Sequence, residues 1–511
     1  MATPAQHYPN QDPAARLLPM AFGLMGGVVF LGLLFLVIAG QFDTVFPYVY
    51  LIPWIIGLFI LLMVPTTIYY RKGTLTLANP LMLATWSYFF PAFVIGGLMV
   101  AFGFSHPYFL TYIQDPRTNI PFSMFLVMLG YGSLAFGFMS PLGKWAGMRL
   151  QRYLPNRDFD PEALYIPGMV LLVIGFTNST IAFFSGVFGF QKAVEIEAYD
   201  GLLSLLTVLW MQGTFLLLYI VFKTRRLSFL AVISLLLVTI TALGRALLAG
   251  NRGSFLQVFM IVMLAFLLAG RRLTAKQTVI SGMVLVVCLM VGMLYGSTFR
   301  YLKGNESVVS ASSYADSIGD TFAYLGREGS NNLLRATFEN LAERLDALSS
   351  VALVVSTYEQ LAPYEESYGL QDNIWNELTT FFVPRIIWPN KPIAADARKF
   401  SDLYFNHAEN SFAATPITDL LRNFGWAGIV LGMFFLGFVL RLIYRTFIED
   451  QPKSILRAGV FFLMLITVSY EAFYGNILTY MIKVGITAVF GIVIVYLIAR
   501  AIGKVPRRIY I

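Results

Sequence analysis

Arg252 stands in a run of small residues, Ala249-Gly250-Asn251-Arg252-Gly253-Ser254, between two apolar stretches. Small neighbours let a bulky anion approach the backbone. A helix that starts there adds unpaired N–H groups and the positive end of its dipole. A guanidinium donates two parallel hydrogen bonds to a phosphate, so this segment describes a phosphate site. The same arginine could instead snorkel to lipid headgroups. Arg245 lies one or two turns earlier, inside the apolar stretch. An arginine at that depth is costly unless paired, so it is either functional or structurally paired.

Further along, Phe382-Val383-Pro384-Arg385-Ile386-Ile387-Trp388-Pro389-Asn390-Lys391-Pro392 packs three prolines into eleven residues. Prolines fix φ, so Arg385, Trp388 and Lys391 should be held in place. The two cations suit phosphate or a sugar carboxylate, and the indole face suits a sugar ring; a stiff structural clamp is the alternative. In Ala414 to Gly425, Asp419 and Arg422 are three apart, share a helix face and could simply pair. Candidate general bases in the long polar segment and the turn that follows it include Asp346, Asp396, Glu409 and Asp419, among which spacing does not choose. Glu471 and Lys483, near the ends of the last two apolar stretches, are further candidates for a pore or site. The sequence has no Walker loop, dinucleotide fingerprint or nucleophile elbow. Its histidines (His7, His106, His407) lack metal-ligand spacing, and its one cysteine, Cys288, lies in an apolar run. No cofactor and no metal are expected.

These residues must be positioned by membrane-spanning helices. Of 511 residues, 57% are hydrophobic and only 13% charged, where a soluble domain carries about 25% charged, and the mean hydropathy is +0.69. The apolar residues come in runs of roughly 20, the length that crosses a bilayer. The net charge of +8 is not a nucleic-acid signal, because the basic residues flank apolar runs. The pattern predicts an all-α polytopic protein with twelve spans: 17–40, 46–68, 80–103, 121–141, 165–189, 202–222, 228–249, 254–270, 278–297, 425–444, 457–474 and 479–499. Lys and Arg collect in alternate connections (71–72, 144–157, 223–226, 271–276, 441–457, 500–508) and nearly vanish from those between. Cytoplasmic loops gather such residues, so both ends are expected inside: a tail at 1–16, spans over 17–298, an outer loop at 299–415, spans over 416–499 and a tail at 500–511. The start is too poor in positive charge for a signal peptide.

The outer loop carries nine Lys/Arg and fifteen Asp/Glu, a net 9 − 15 = −6. A loop that long is functional or a folded insertion. Leu334, Phe338, Leu341, Leu345, Leu348, Ala352 and Val355 recur at helical spacing, which predicts a helix packed on the membrane domain. Arg335, Arg344 and Asp346 lie off that stripe and could be held over a cleft.

The Gly250–Ser254 segment around Arg252, Pro384-Arg385 through Trp388-Pro389-Asn390-Lys391-Pro392, and Thr415-Pro416 through Asn423-Phe424-Gly425 resemble the bacterial oligosaccharide repeat-unit polymerases, the Wzy-type enzymes of O-antigen and exopolysaccharide assembly. The motifs cover about a tenth of the chain, and the order of segments and spans is similar over nearly all of it. The resemblance implies a GT-C-like glycosyltransferase of the bacterial inner membrane. It would move a growing glycan from undecaprenyl diphosphate onto another lipid-linked unit at the periplasmic face. Its partners would be the undecaprenyl-diphosphate-linked oligosaccharide, membrane lipids, and the flippase and chain-length regulator of the same pathway. Related ligases typically carry a histidine close before the tenth-span glycine. Ala414 to Asn423 has none and His407 is eighteen residues before Gly425, which favours a polymerase and leaves the base open. Under this resemblance Arg252, Arg385 and Asp419 are the catalytic candidates, and Arg245, Arg300, Arg344, Trp388, Lys391 and Arg422 the substrate-binding ones. The arginines would stabilise the charge that develops on the leaving diphosphate.

Topology reporters fused near residues 73, 150, 274 and 450 should read cytoplasm, and those near 110, 195 and 350 the outside. An inside signal at 350 would overturn both the orientation and the placing of the site.

Overall fold

The computed structural model describes residues 47–508 except 106, 156, 189–198, 250–251, 384–386, 389–390, 392–395, 409–411, 413, 450–453 and most of 272–344. The first part of the chain folds as α1 (Val49–Arg71), α2 (Pro80–Ala101), α3 (Pro116–Met139), α4 (Pro141–Gln151) and α5 (Pro161–Phe184). Next come α6 (Asp200–Thr224), α7 (Phe229–Ala249) and α8 (Arg252–Leu268). The long polar segment between the spans supplies α9 (Leu348–Glu365), α10 (Asn373–Thr380) and α11 (Ala397–Phe405). The chain then closes with α12 (Pro416–Phe447), α13 (Ile455–Ile466) and α14 (Tyr474–Ala501). Among the described residues, eight helices are long and apolar enough to cross a membrane, and α8 and α13 are apolar but shorter. The only sheet among the described residues is a two-residue ladder, β1 (Arg157–Asp158) with β2 (Arg507–Arg508). The chain is therefore an all-helical membrane protein.

The expected span at 17–40 lies outside the described residues, as does half of 278–297. Two boundaries differ from expectation for physical reasons. The tenth span was expected from 425, but its helix starts at Pro416 because Thr415 and Thr418 form a reciprocal capping box (3.2 and 3.1 Å) ahead of it. The eleventh was expected over 457–474, but α13 ends at Ile466 and residues 467–473 are not helical. The loop stripe is also interrupted: Asp346 and Ala347 are non-helical, and Asp346 Oδ1 accepts from Ser349 N–H at 2.9 Å, starting a new helix.

Close approach of backbones holds the bundle together, as membrane helices require where lipid is as apolar as the core. Gly137 of α3 lies against the backbone of Phe434, and Gly437 of α12 lies against that of Leu134. One turn apart on α4, Gly143 and Gly147 receive the stems of Arg441 and Arg445. Arg441 is closed by Glu449 at 2.7 Å.

Within α12 the chain reverses at Gly425, whose φ is +65° and ψ −163°. That conformation is essentially restricted to glycine. The segment 416–424 folds back, so that Leu420 rests on Gly432 and Phe424 on Gly428; in a straight helix residues 420 and 432 would be ~18 Å apart. Gly425→Ala should lower the thermal midpoint of the detergent-solubilised protein by the equivalent of about 1–3 kcal/mol. Gly132→Ala, a helical position with open space around it, should be neutral or slightly stabilising. Equal midpoints for the two variants would mean that the reversal does not need glycine.

Candidate functional site

The seven residues at 467–473 interrupt two helices that would otherwise run on. Irregular backbone at membrane depth survives only where protein buries it or a cavity hydrates it. Both conditions hold here. Tyr470 and Phe473 are buried, while Thr467, Ser469 and Ala472 line a crevice of about 320 Å³. The rest of the lining comes from α14, through Asn476, Thr479, Tyr480 and Lys483, and from α10, through Glu377. On α14 these polar residues recur at i, i+3, i+4 and i+7, one helix face.

Helix α10 reaches α14 because Gly475 offers no side chain. A Cβ there would stand 3.2 Å from Glu377 Cβ and 3.4 Å from Ile374 Cα. Glu377 Oε1 accepts from Thr479 Oγ1 at 2.8 Å and from Lys483 Nζ at 3.2 Å. The lysine and glutamate keep 28% and 13% of their side-chain surface exposed, so the pair is reachable from the crevice. Arg245 of α7 lies near Tyr480 of the crevice lining. Arg245 is buried; its Nη1 donates to Ser179 Oγ (2.7 Å) and to the Thr207 carbonyl (3.2 Å). Its guanidinium also faces the Phe188 and Trp210 rings at 4.5 and 4.9 Å. Among the described residues no carboxylate pairs with it.

One turn before Glu377, Asn373 belongs to a second, closed cluster. Arg422 Nη1 meets Glu365 Oε1 at 2.5 Å, and its Nη2 meets Asp419 Oδ1 at 3.0 Å and Asn373 Oδ1 at 3.1 Å. Asp419 also accepts from Asn373 Nδ2 (3.0 Å) and, through Oδ2, from the Tyr474 N–H (2.8 Å). Tyr404 donates to Glu365 at 2.5 Å. The Arg422, Asp419 and Glu365 side chains are 1%, 0% and 9% exposed. This arrangement binds helices to one another and leaves its carboxylates no open face.

The structure thus separates the candidates drawn from sequence. It brings Asp419 and Arg422 together in the closed cluster and sets Arg245 near Tyr480 of the crevice lining. Trp388 is 39% exposed, and Lys391 Nζ donates to the Val383 carbonyl at 3.3 Å. Arg252 is the first residue of α8. Arg300, Arg344, Arg385 and Glu409 lie outside the described residues, as does the side chain of Arg252. Asp396 caps α11 by accepting from Arg398 N–H at 2.9 Å. Lys483, noted in the sequence, lines the crevice; Glu377 was missed. The polar face of α14 could have pointed to the crevice, but nothing local marks Glu377, whose partner is 106 residues away.

Asp346 is buried at the start of α9. Its carboxylate accepts from the Ser349 hydroxyl (2.6 Å) and the Ser105 hydroxyl (3.1 Å). Burial outweighs these donors and pushes its carboxyl up to about 6.

The chain belongs to the family described as a domain of unknown function (DUF8712), whose model matches residues 170–503. The crevice, the closed cluster and Arg245 all fall inside that stretch. No curated protein and no solved structure matches the chain.

A carboxyl raised in the folded state contributes stability that is full below its unfolded pKa, near 4, and is lost as pH rises through about 6. Asp346→Asn removes that loss. The variant should therefore gain on the wild type as pH rises from about 4 to 6, reaching about 3 kcal/mol at most, as read from thermal midpoints. Parallel pH curves would show that Asp346 does not titrate there.

Proposed function

We propose that this DUF8712-family membrane protein is a polysaccharide polymerase, a GT-C-like glycosyltransferase with twelve spans and both ends in the cytoplasm. It would act at the periplasmic face of a bacterial inner membrane on undecaprenyl-diphosphate-linked oligosaccharides. The observation that carries this reading is the crevice between α10 and α14. It offers a reachable carboxylate and a reachable ammonium 3.2 Å apart, backed by a buried guanidinium. Lipid-linked glycosyl transfer needs those three groups at a membrane boundary.

The chemistry divides among them. An acceptor hydroxyl oxygen attacks the anomeric carbon, and its proton passes to Glu377 as general base. The bond from the anomeric carbon to the diphosphate oxygen breaks with its electron pair, releasing undecaprenyl diphosphate. The negative charge that grows on the leaving group is met by Lys483, Arg245 and Arg252, the last seven residues beyond Arg245 at the first residue of α8. The motif around Arg252 supports the same reading, in which Glu377 rather than Asp419, whose oxygens are already met by donors, takes the proton.

Purified protein in lipid nanodiscs, given a lipid-linked repeat unit, should yield a ladder of lipid-linked products. Transfer to a different acceptor would identify a ligase instead, and movement without new bonds a transporter. Arg252→Lys keeps the charge and loses the two-pronged geometry, so it should insert normally and lose ~10²–10³ in rate. Glu377→Gln should lose at least ~10². Normal-length polymer from Arg252→Lys would make that arginine an interfacial anchor, and an unchanged rate in Glu377→Gln would place the base elsewhere.

A further inference from the structure

The ends of α6 and α8 leave a larger cavity of about 650 Å³. It lies on the basic face of the bundle, where Lys223 comes near Asp158 of the β1–β2 ladder. Arg225, Arg226 and Arg271 line it together with Thr274 and Gln277, and among the described residues no acidic one does. Three like charges around one cavity repel each other unless an anion sits among them.

The local backbone holds this arrangement at some cost. Arg225 adopts φ +59° at the end of α6, a left-handed position that a helix usually ends on with glycine. Arg271 is docked against the wall, its Nε donating to the Phe222 carbonyl at 2.7 Å and its Nη2 to the same oxygen. The polar rim is ordered too: Thr274 N–H donates to Gln277 Oε1 at 2.9 Å, and Gln277 N–H to Thr274 Oγ1 at 3.3 Å. The remaining surface is apolar. Phe222 and Phe266 meet edge to face at 5.3 Å, and Leu227 and the adjacent Phe229 are 76% and 79% exposed.

We infer that this cavity binds the phosphate headgroup of an anionic phospholipid. Arg225 and Arg226 take the phosphate, since guanidinium forks match its oxygens. The acyl chains run over Leu227, Phe229 and Phe266. A soluble anion would use the arginines but would leave this exposed apolar rim, at the ends of spanning helices, uncovered. Basic pockets between spanning helices are suited to such headgroups. The site lies away from the crevice and does not depend on the transfer chemistry assigned there.

Native mass spectrometry of the detergent-purified protein tests this with phosphatidylglycerol and phosphatidylcholine of identical chains. The wild type should retain phosphatidylglycerol at a concentration about tenfold lower than phosphatidylcholine. Arg225→Gln/Arg226→Gln should abolish that preference. Arg71→Gln/Lys72→Gln, outside the cavity, should keep it. Arg226→Gln alone leaves the strained Arg225 in place and should weaken retention about fivefold, which keeps the test decisive should the double variant fail to fold. Inorganic pyrophosphate at millimolar concentration should not displace the lipid. Equal retention of the two lipids, an unchanged preference in the variants, or displacement by pyrophosphate would each overturn the assignment.

Discussion

The packing of α9, α10, α11, α12 and α14 depends on the neutralisation of one buried charge, the Arg422 guanidinium. Taking a guanidinium out of water costs several kcal/mol, and good geometry with opposite charge must offset it. Two carboxylates do so, Glu365 from the end of α9 and Asp419 from one turn earlier in α12. That leaves an excess negative charge, which donors from Asn373, Tyr404 and the Tyr474 backbone spread out. Each donor comes from a different helix, so the cluster ties α9, α10, α11, α12 and α14 together. Loss of Arg422 would leave both buried carboxylates uncompensated, a cost of about 3–5 kcal/mol. The crevice inherits this rigidity because Asn373 and Glu377 are one turn apart on α10. The bond from Asn373 into the cluster fixes the face on which Glu377 meets Lys483.

Two interruptions of helical structure make that cluster possible. The reversal at Gly425 turns 416–424 back along the rest of α12, which carries Asp419 and Arg422 toward α9 and α10 rather than along the membrane normal. The break at 467–473 frees the N–H of Tyr474, the first residue of α14, to donate to Asp419. It also opens the wall of the crevice. Both departures from regular helix serve polar groups that a continuous span would have buried without partners.

The membrane class was legible from run length and charge alternation, because hydrophobic thickness and the bias of Lys and Arg act on every span independently. The pairing of Asp419 with Arg422 was legible because it is local, three residues on one helix. Glu365 was not, since it meets Arg422 across 57 residues. Nor was the end of α13 at Ile466. Residues 467–473 include Val468, Tyr470, Ala472 and Phe473, apolar enough to read as a continued span, and only tertiary packing makes them leave the helix. Asp346 shows the same limit in reverse. It lies off the apolar stripe and so looked available for chemistry, yet Ser105, from a connection 241 residues earlier, helps to bury it.

Arg422 and Arg245 are then distinguished by what surrounds their buried guanidinium groups. Arg422 is closed by carboxylates and cannot accept another anion without expelling one of them. Arg245 is equally buried, but among the described residues it is met by a hydroxyl, a carbonyl and two aromatic faces. Those groups lower the cost of the charge without cancelling it, since an aromatic face contributes only ~0.5–2 kcal/mol to a cation. A positive charge left in that condition favours the arrival of a negative one. It lies near Tyr480, which lines the crevice that also holds Lys483. An anion entering there would be drawn toward both cations, one of which, Lys483, is already paired with Glu377. The fold thus neutralises one arginine to build the scaffold and meets the other, among the described residues, with neutral groups alone.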